Sequence, residues 1–394
     1  MVADIYKAAF QRQFAESIYR QTAYIQDEVD GVEQRKIISL GRGSLVVSLP
    51  KYWLKLNGLK KGDEVSLTLQ QNRSLVILPG SGMKQSSREV VIEIKPDDSQ
   101  ASIIRRIIAC YLNGYSGIRI ISNDILNVSQ QRAIRKAANM LFMNIMEAST
   151  KGVHIQILMD DSKAFVNAGI QRMHAIAESM SRDTMIALKN YDTSLAKVVY
   201  SLDNDVDQLS FLELRLLRSA ATNPALANDL ALNLIDCLDH QTLVHRIEQT
   251  ADQAANIVRN MIVLEGEGQR IPNEMLVLMA EVGEKAHMMY DRAVKAYFAK
   301  DMAESETIIE QDEEIERLGR EIASKTFSNT QNSSMVVCSI CSIRDSIRRM
   351  AEFAVDIAEI SINRMYELRP RLEGREKVLL EKETKTAQKT SEEA

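Results

Sequence analysis

Helical periodicity runs from about residue 165 to residue 368, roughly half of the 394-residue chain. Apolar side chains recur there at intervals of three and four residues, which is the spacing of one buried helix face. Only 6 prolines and 5% aromatic residues accompany 18 methionines, and this composition favours long helices over sandwiches or barrels. The sequence therefore predicts a mainly α protein, and one too long for a single core.

The helical half contains an internal repeat. Residues 189–213 and 295–321 each carry an acidic element on a helix, and a further helix follows each element. The elements comprise Asp203, Asp205 and Asp207 in the first copy and Asp312, Glu314 and Glu316 in the second. We predict two three-helix units at 165–265 and 268–368, because neither copy alone buries both faces of its helices.

Polar side chains form a stripe on the last helix of the first unit, HRIEQTADQAAN. His245, Glu248, Asp252 and Asn256 are spaced three, four and four residues apart and so lie along one helix face. Two carboxylates one turn apart repel by a few tenths of a kcal/mol, a cost that a bound cation or an arginine partner would remove. A metal site and a solvated acidic face both remain open from spacing alone.

The second unit departs from this pattern. Arg348, Glu352 and Asp356 occupy the corresponding positions in RRMAEFAVD, so an arginine stands where the first unit has its first carboxylate. A metal at Glu352 and Asp356 is therefore a weaker expectation than one at Glu248 and Asp252.

The period changes to that of strands between residues 35 and 78. Four apolar runs are separated by the turn GRG, a short helix beginning at Pro50, and the turn QQNR. Residues 31–80 hold eight Lys or Arg against three Asp or Glu, which is +5 in a chain of net charge −5. Such concentrated charge is what a nucleic-acid-binding segment of an acidic protein needs, and solvated surface cations are the alternative.

Four short strands need cover for their apolar residues, so we infer that a second copy of the chain supplies it. Gly41 and Gly43 would let the turn adopt positive φ and approach DNA closely.

Three further segments complete the chain. Residues 1–30 predict an amphipathic helical arm, and residues 370–394 predict a disordered tail. Residues 88–160 alternate strands with helical stretches near 99–114 and 128–149, which indicates a small α/β connector.

Several classes of protein are disfavoured. No stretch reaches the roughly 18 uninterrupted apolar residues of a membrane span, and the start does not resemble a signal peptide, so we expect a cytoplasmic protein. The 4 cysteines are too few for a disulfide framework, and we expect Cys338 and Cys341 to pack inside a helix rather than to serve redox or metal chemistry. Glycine-rich phosphate loops and the GxSxG and HExxH motifs are missing from the sequence, so we expect no enzyme.

Residues 33–79 resemble the AbrB/SpoVT/MazE family. A basic strand, a glycine turn, a short helix opened by proline and the motif LxxGDxVxL (Leu59, Gly62, Asp63, Val65, Leu67) carry the resemblance. It implies a swapped-hairpin β-barrel dimer that binds DNA through its basic face, although such modules also bind toxins or only dimerise. By position, the DNA-binding candidates are Arg35, Lys36, Arg42, Lys51 and Lys55.

Residues 165–368 resemble the PhoU family, in which two three-helix repeats carry an ExxxD signature on the last helix. EQTADQAAN matches the signature as it stands. The resemblance implies iron or zinc on the carboxylates and a role in regulating phosphate uptake with the phosphate transporter. The predicted metal residues are Glu248, Asp252 and His245, with Glu352 and Asp356 in the second repeat.

Together the segments resemble archaeal PhoU-type phosphate uptake regulators with an N-terminal AbrB/SpoVT-like DNA-binding domain. The expected function is a homodimeric transcriptional regulator whose helical body senses metal, phosphate status or the transporter. The alternative is a cytoplasmic adaptor that binds the ATPase of the phosphate ABC transporter and uses the hairpin only to dimerise. A metal-dependent phosphatase is a third and weaker interpretation.

Overall fold

The computed structural model describes residues 33–41, 44–70, 74–80, 88–159, 165–328 and 332–366. The predicted arm at 1–30 and the predicted tail at 370–394 lie outside these residues. Contacts divide the chain into two units, the first ending at Glu64 and the second beginning at Val65.

The first unit holds a small hairpin and a short helix. Strands β1 (Ile38–Leu40) and β2 (Ser44–Val46) pair antiparallel, and helix α1 (Lys51–Leu56) follows Pro50. Gly41 follows β1 and has a φ of 69°, which lies in the left-handed region that glycine enters without strain. Apolar strand residues such as Leu40 and Leu45 are exposed, so the hairpin buries little apolar surface by itself.

The second unit opens with another hairpin. Strands β3 (Val65–Leu69) and β4 (Leu75–Pro79) pair antiparallel over five residues each. Leu67, Leu69 and Leu75 are exposed, while the amide of Asn228 donates a hydrogen bond of 3.3 Å to the carbonyl of Leu69. The strands predicted between residues 35 and 78 are therefore confirmed.

A two-layer α/β connector comes next. Its elements are β5 (Glu89–Glu93), α2 (Gln100–Leu112), β6 (Gly117–Ile121), α3 (Val128–Met140), β7 (Asn144–Ala148) and β8 (Gly152–Gln156). The strand order is β5-β6-β8-β7, with β5 and β6 parallel and the other pairs antiparallel. Ile107 of α2 and Ile134 of α3 pack with Ile118 of β6 in one core, so both helices cover the same face of the sheet.

The helix predicted at 128–149 is wrong in its second half. Helix α3 ends at Met140, Phe142 takes a φ of 52°, and residues 144–148 form β7. Pairing of β7 with β8 decides this segment, because a short apolar run can form either element and tertiary pairing overrides its helical propensity.

The remaining helices form one bundle around a continuous core. They are α4 (Val166–Asn190), α5 (Thr193–Thr222), α6 (Pro224–Asp229), α7 (Leu234–Gly266), α8 (Asn273–Ala299), α9 (Met302–Ser328) and α10 (Ser334–Met365). The long helices make two three-helix repeats, α4-α5-α7 and α8-α9-α10, which confirms the predicted architecture. Within the described residues, no helix is long and apolar enough to cross a membrane.

Helices α4 and α8 join the two repeats through reciprocal polar contacts. His174 of α4 contacts Asp291 of α8 at 3.2 Å, and His287 of α8 lies 3.7 Å from Glu178 of α4. Each helix thus supplies a histidine and, one turn later, an acid for the histidine of the other helix.

Helix α5 fastens the connector to the bundle through Arg215. This buried guanidinium donates hydrogen bonds to the carbonyls of Tyr111 and Tyr115 at 2.6 and 2.9 Å. Arg218 donates to the carbonyl of Leu112 at 3.1 Å, and Phe211 packs against the connector core. The cations meet the C-terminal end of α2, where carbonyl groups lack helical partners and the helix dipole is negative.

We expect Arg215→Ala to destabilise the protein by about 3 kcal/mol, because the buried carbonyls of the α2 terminus lose a charged donor. Urea unfolding at fixed pH measures the change. Arg218→Ala is the matched control, since Arg218 is exposed and should cost about 1 kcal/mol or less. Equal losses in the two variants would contradict the assignment of Arg215 as the anchor.

Candidate metal centre

Four carboxylates gather where α5 packs against α7. Asp203 and Asp207 lie one turn apart on α5, and Glu248 and Asp252 lie one turn apart on α7. One carboxylate oxygen from each of Asp207, Glu248 and Asp252 lies within 4.8 Å of the other two. The charges of Asp203 and Asp252 also act on each other. We call these four residues the acidic cluster.

Local sequence fixes both helices that carry the cluster. The Asp192 carboxylate accepts hydrogen bonds of 3.0 Å from two backbone N–H groups in the first turn of α5. Asn233 and Asp236 form a capping box at the start of α7. Val206 and Ile247 are buried on the facing sides of these helices, so the acids lie at the margin of the core.

Burial and mutual repulsion raise the pKa values of the cluster. Burial, followed by the charges of Asp252, Asp207 and Asp203, raises the pKa of Glu248 to about 7. Burial and neighbouring carboxylates raise the pKa of Asp203 and that of Asp207 to about 6, and burial also raises the pKa of Asp252. Within the described part of the chain, no cationic side chain lies within 4.0 Å of any of these carboxylates.

Lys136 of the connector helix α3 is the cation that acts on the cluster from outside the bundle. Its charge lowers the pKa of Asp207, but burial and the other acids outweigh it. The cluster therefore holds net negative charge at neutral pH, a state that a bound cation would relieve.

The donor set suits a cation that prefers oxygen. Asp207, Glu248 and Asp252 offer carboxylate oxygens only, the ligands favoured by Mg²⁺, Ca²⁺ and Mn²⁺ and also used by iron in helical bundles. Zinc more often takes nitrogen or sulfur ligands. The residues thus fit Mg²⁺, Ca²⁺, Mn²⁺ or iron better than zinc.

His245 is not one of the residues whose ligand atoms converge. Partial burial, assisted by the adjacent Arg246, lowers the pKa of His245, so its imidazole is neutral at pH 7 and could serve as a ligand. Its assignment as a metal ligand stays a prediction.

The second repeat places arginines where the first has a cluster. Arg348 pairs with Glu352 at 2.9 Å, and Arg246 reaches across from α7 to Asp356 at 2.8 Å without an aligned hydrogen bond. Arg246 also stacks over the ring of Phe353, 5.2 Å from its centroid. A cation at Glu352 and Asp356 would have to displace both guanidinium groups, and their role as ligands stays a prediction.

Sequence reasoning singled out Glu248 and Asp252 but did not join them to Asp203 and Asp207. The signal was present, because each pair has the same spacing of four residues on a helix. What the sequence lacked was the packing of α5 on α7, a contact between residues far apart in the chain.

The basic candidates that the structure describes in residues 31–80, which we call the N-terminal segment, are exposed. Lys36, Lys51 and Lys55 are exposed, and Arg42 lies outside the described residues. Arg35 pairs with Glu33 and donates a hydrogen bond of 3.1 Å to the Ser48 hydroxyl, so part of its charge is compensated.

Cys338 and Cys341 differ from expectation. Both cysteines lie within helix α10, as predicted, but Cys338 is exposed and Cys341 is half-buried, so the predicted packing is wrong for Cys338. The first turns of α10 present this position to solvent because the buried face runs through Val336, Ile340 and Ile343.

Two family models match this chain. The PhoU domain matches residues 170–261 and 279–361, which are the two three-helix repeats. The family described as antidote-toxin recognition MazE, bacterial antitoxin, matches residues 38–85. The chain contains a PhoU domain preceded by a MazE/AbrB-like domain. The resemblance to these two families that the sequence predicts is confirmed.

Curated relatives match the PhoU half. The chain is 24% identical over 214 residues to a phosphate-specific transport system accessory protein PhoU homolog from Rhizobium meliloti (strain 1021), covering 52% of this chain and 86% of that protein. It is 24% identical over 204 residues to a protein of the same description from Pseudomonas aeruginosa (strain PAO1), covering 50% and 81%. The crystal structure of PhoU from Pseudomonas aeruginosa gives a TM-score of 0.46 at 20% identity, over 50% of this chain and 93% of that one.

We expect Glu248→Gln to stabilise the metal-free protein at pH 8 by about 1 kcal/mol, a value discounted for partial exposure. The pKa of Glu248 is about 7 when folded and 4.5 otherwise, so the unfolded state binds fewer protons between these values. Stability contributed by Glu248 therefore falls as pH rises through this window, and glutamine avoids the loss. Urea unfolding in EDTA at pH 8 and 4.5 measures the difference, which should be small at pH 4.5.

Glu352→Gln is the matched control for this experiment. It removes a carboxylate that pairs with Arg348, so we expect no gain at pH 8. A gain from Glu352→Gln as large as that from Glu248→Gln would contradict repulsion within the acidic cluster as the cause.

Proposed function

We propose that this chain is a DNA-binding transcriptional regulator of phosphate uptake whose PhoU domain senses a metal, phosphate status or the phosphate transporter. The observation that carries the proposal is the joining of two domains of opposite charge. The segment that overlaps the antitoxin match carries +5, whereas residues 165–366 hold 31 Asp or Glu against 20 Lys or Arg. The chain thus joins an acidic domain to a basic segment that can bind a polyanion such as DNA.

The exposed residues of the N-terminal segment support DNA binding and dimerisation. Lys36, Lys51 and Lys55 are free to meet phosphates, and arginine forks such as those of Arg35 and Arg42 suit phosphates and base edges. Apolar residues of both hairpins are exposed, and a second copy of the chain would cover them. A homodimer therefore accounts for both features.

The acidic cluster supports the sensing role. Iron, which the carboxylate oxygens suit better than zinc, would be held by Asp207, Glu248 and Asp252, which otherwise repel one another. A ligand of the PhoU domain alters DNA binding only if it binds two arrangements of the protein with different affinity. Relief of this repulsion is a source of such a difference.

The second candidate is a cytoplasmic adaptor that binds the ATPase of the phosphate ABC transporter and uses its hairpin only to dimerise. The description of the curated relatives, phosphate-specific transport system accessory protein, favours it. The two candidates differ in whether the basic residues contact DNA. Either one is a regulatory role rather than an enzymatic one.

We expect the full-length protein to bind a labelled duplex from its own upstream region with a steep salt dependence. Fluorescence anisotropy across a salt series gives the slope of log Kobs against log salt, about −0.9 per phosphate neutralised. Arg42→Ala/Lys51→Ala should weaken binding and flatten the slope. A scrambled duplex is the specificity control, and tighter binding of the native duplex identifies a regulator.

Failure of both duplexes to bind at low salt would remove DNA as the partner. The hairpin would then serve dimerisation, and the transporter ATPase would become the partner to test. The two functions are thus separated by one titration.

We expect protein purified from metal-replete medium to retain iron or zinc, and Glu248→Ala/Asp252→Ala to lose it without unfolding. Two of the three converging carboxylates are absent from that variant. Elemental analysis of both proteins, with circular dichroism as the folding check, measures the outcome. Metal-free wild-type protein would count against the site.

Glu352→Ala/Asp356→Ala is the comparison variant. These acids are paired with arginines, so we expect the metal content to stay at the wild-type value. A fall equal to that in the first variant would show that the second repeat holds metal as well.

A further inference from the structure

The two connector helices carry cations and no acid. Helices α2 and α3 contain five Arg or Lys residues and no Asp or Glu. They lie side by side, since the amide of Gln100 at the start of α2 donates a hydrogen bond of 2.7 Å to the Ser129 hydroxyl at the start of α3. Their apolar faces are buried against the sheet, so the charged side chains point away from it.

Four of the five cations are exposed without an ion-pair partner in the described part of the chain, namely Arg105, Arg132, Arg135 and Lys136. We call these four the connector basic face. The fifth, Arg106, is used internally, because it pairs with Asp98 at 3.0 Å and donates to the carbonyl of Glu93. This second concentration of positive charge was not predicted from the sequence.

Many cations elsewhere in the described chain lie beside acids. On the bundle helices, Arg182, Lys295, Arg320, Lys325 and Arg348 each pair with an acid one turn earlier or later. On the opposite face of the connector sheet, Arg119 lies 3.8 Å from both Glu89 and Glu147. The absence of acids on α2 and α3 is therefore a local property of one surface.

The missing acids leave repulsion on α3. Arg132 lies three residues before Arg135 and four before Lys136, spacings at which like charges on a helix destabilise it. A polyanion bound to this face would turn the repulsion into attraction. Three of the four exposed cations are arginines, whose planar forks suit phosphate groups.

We propose that the connector basic face is a second DNA-binding surface. It contacts the phosphate backbone of double-stranded DNA, the same class of ligand that we propose for the N-terminal segment. The inference rests on the proposed DNA-binding function. Phosphate contacts carry no sequence information, so this face adds affinity and leaves the choice of operator to other residues. Its contacts contribute to the salt dependence of binding.

The test compares full-length wild type with Arg132→Gln/Arg135→Gln on a random-sequence duplex by fluorescence anisotropy, between about 50 and 200 mM salt. Loss of two phosphate contacts should reduce the slope of log Kobs against log salt by roughly 1.8. Glutamine keeps helix propensity near that of arginine, and circular dichroism checks the fold. Lys136 is left intact because its charge also acts on Asp207.

Arg172→Gln/Arg259→Gln is the matched control, since it removes the same charge from exposed positions on the bundle that have no ion-pair partner among the described residues. We expect this variant to keep the wild-type slope. If both double variants lowered the slope of log Kobs against log salt equally, the loss would be due to net charge alone. That result would overturn the inference.

Arg42→Ala/Lys51→Ala, measured in parallel, separates this inference from the proposed function. If only that variant flattens the slope, the N-terminal segment binds DNA and the connector basic face does not. If only Arg132→Gln/Arg135→Gln flattens the slope, the connector basic face binds DNA and the N-terminal segment does not. Wild type that binds no duplex at the lowest salt would overturn both.

Sedimentation velocity tests the alternative that this surface binds a second copy of the chain instead of DNA. A lower oligomeric state of Arg132→Gln/Arg135→Gln, with an unchanged DNA slope, would show that the face binds the acidic bundle of a second copy. That result would overturn the inference.

Discussion

The hydrogen bonds from Arg215 to the end of α2 join the connector to the bundle, and the arrangement of the second unit depends on them. A guanidinium buried at 2% exposure needs several acceptors, and the carbonyls at a helix terminus supply them. Helix α5 carries this anchor, the Asp203 and Asp207 carboxylates, and Phe211 of the connector core. One rigid element of 30 residues thus links the candidate metal centre to the connector.

The acidic cluster shows how two copies of one unit can acquire different chemistry. In the first repeat, half-buried carboxylates face one another and their pKa values rise. In the second, Arg348 and Arg246 neutralise Glu352 and Asp356. Because Arg246 belongs to the first repeat, the neutralisation of the second depends on the packing of α7 against α10. The repeats are alike in fold and unequal in charge.

Periodicity predicted most of the fold, since helix faces and strand alternation are local properties of the sequence. It failed at residues 144–148, where pairing with β8 overrode a helix-like pattern. For the site, the sequence showed the spacing of Glu248 and Asp252. It could not show that the packing of α5 on α7 brings Asp207 close to them. The pairing of Arg246 with Asp356 could not be predicted either, because the two residues lie 110 positions apart in sequence. The connector basic face depends on the packing of α2 beside α3, which is also a contact that the sequence does not show.

The reciprocal contacts between α4 and α8 bear on how the two halves can change. His174 contacts Asp291, and His287 lies 3.7 Å from Glu178, so each half holds the acid that faces the other half's imidazole. A substitution at one of these positions has its compensating position in the opposite half rather than beside it. A protein cut between the halves would therefore leave His174 and His287 without these acids, whereas Glu178 and Asp291 would keep Arg182 and Lys295 on their own helices.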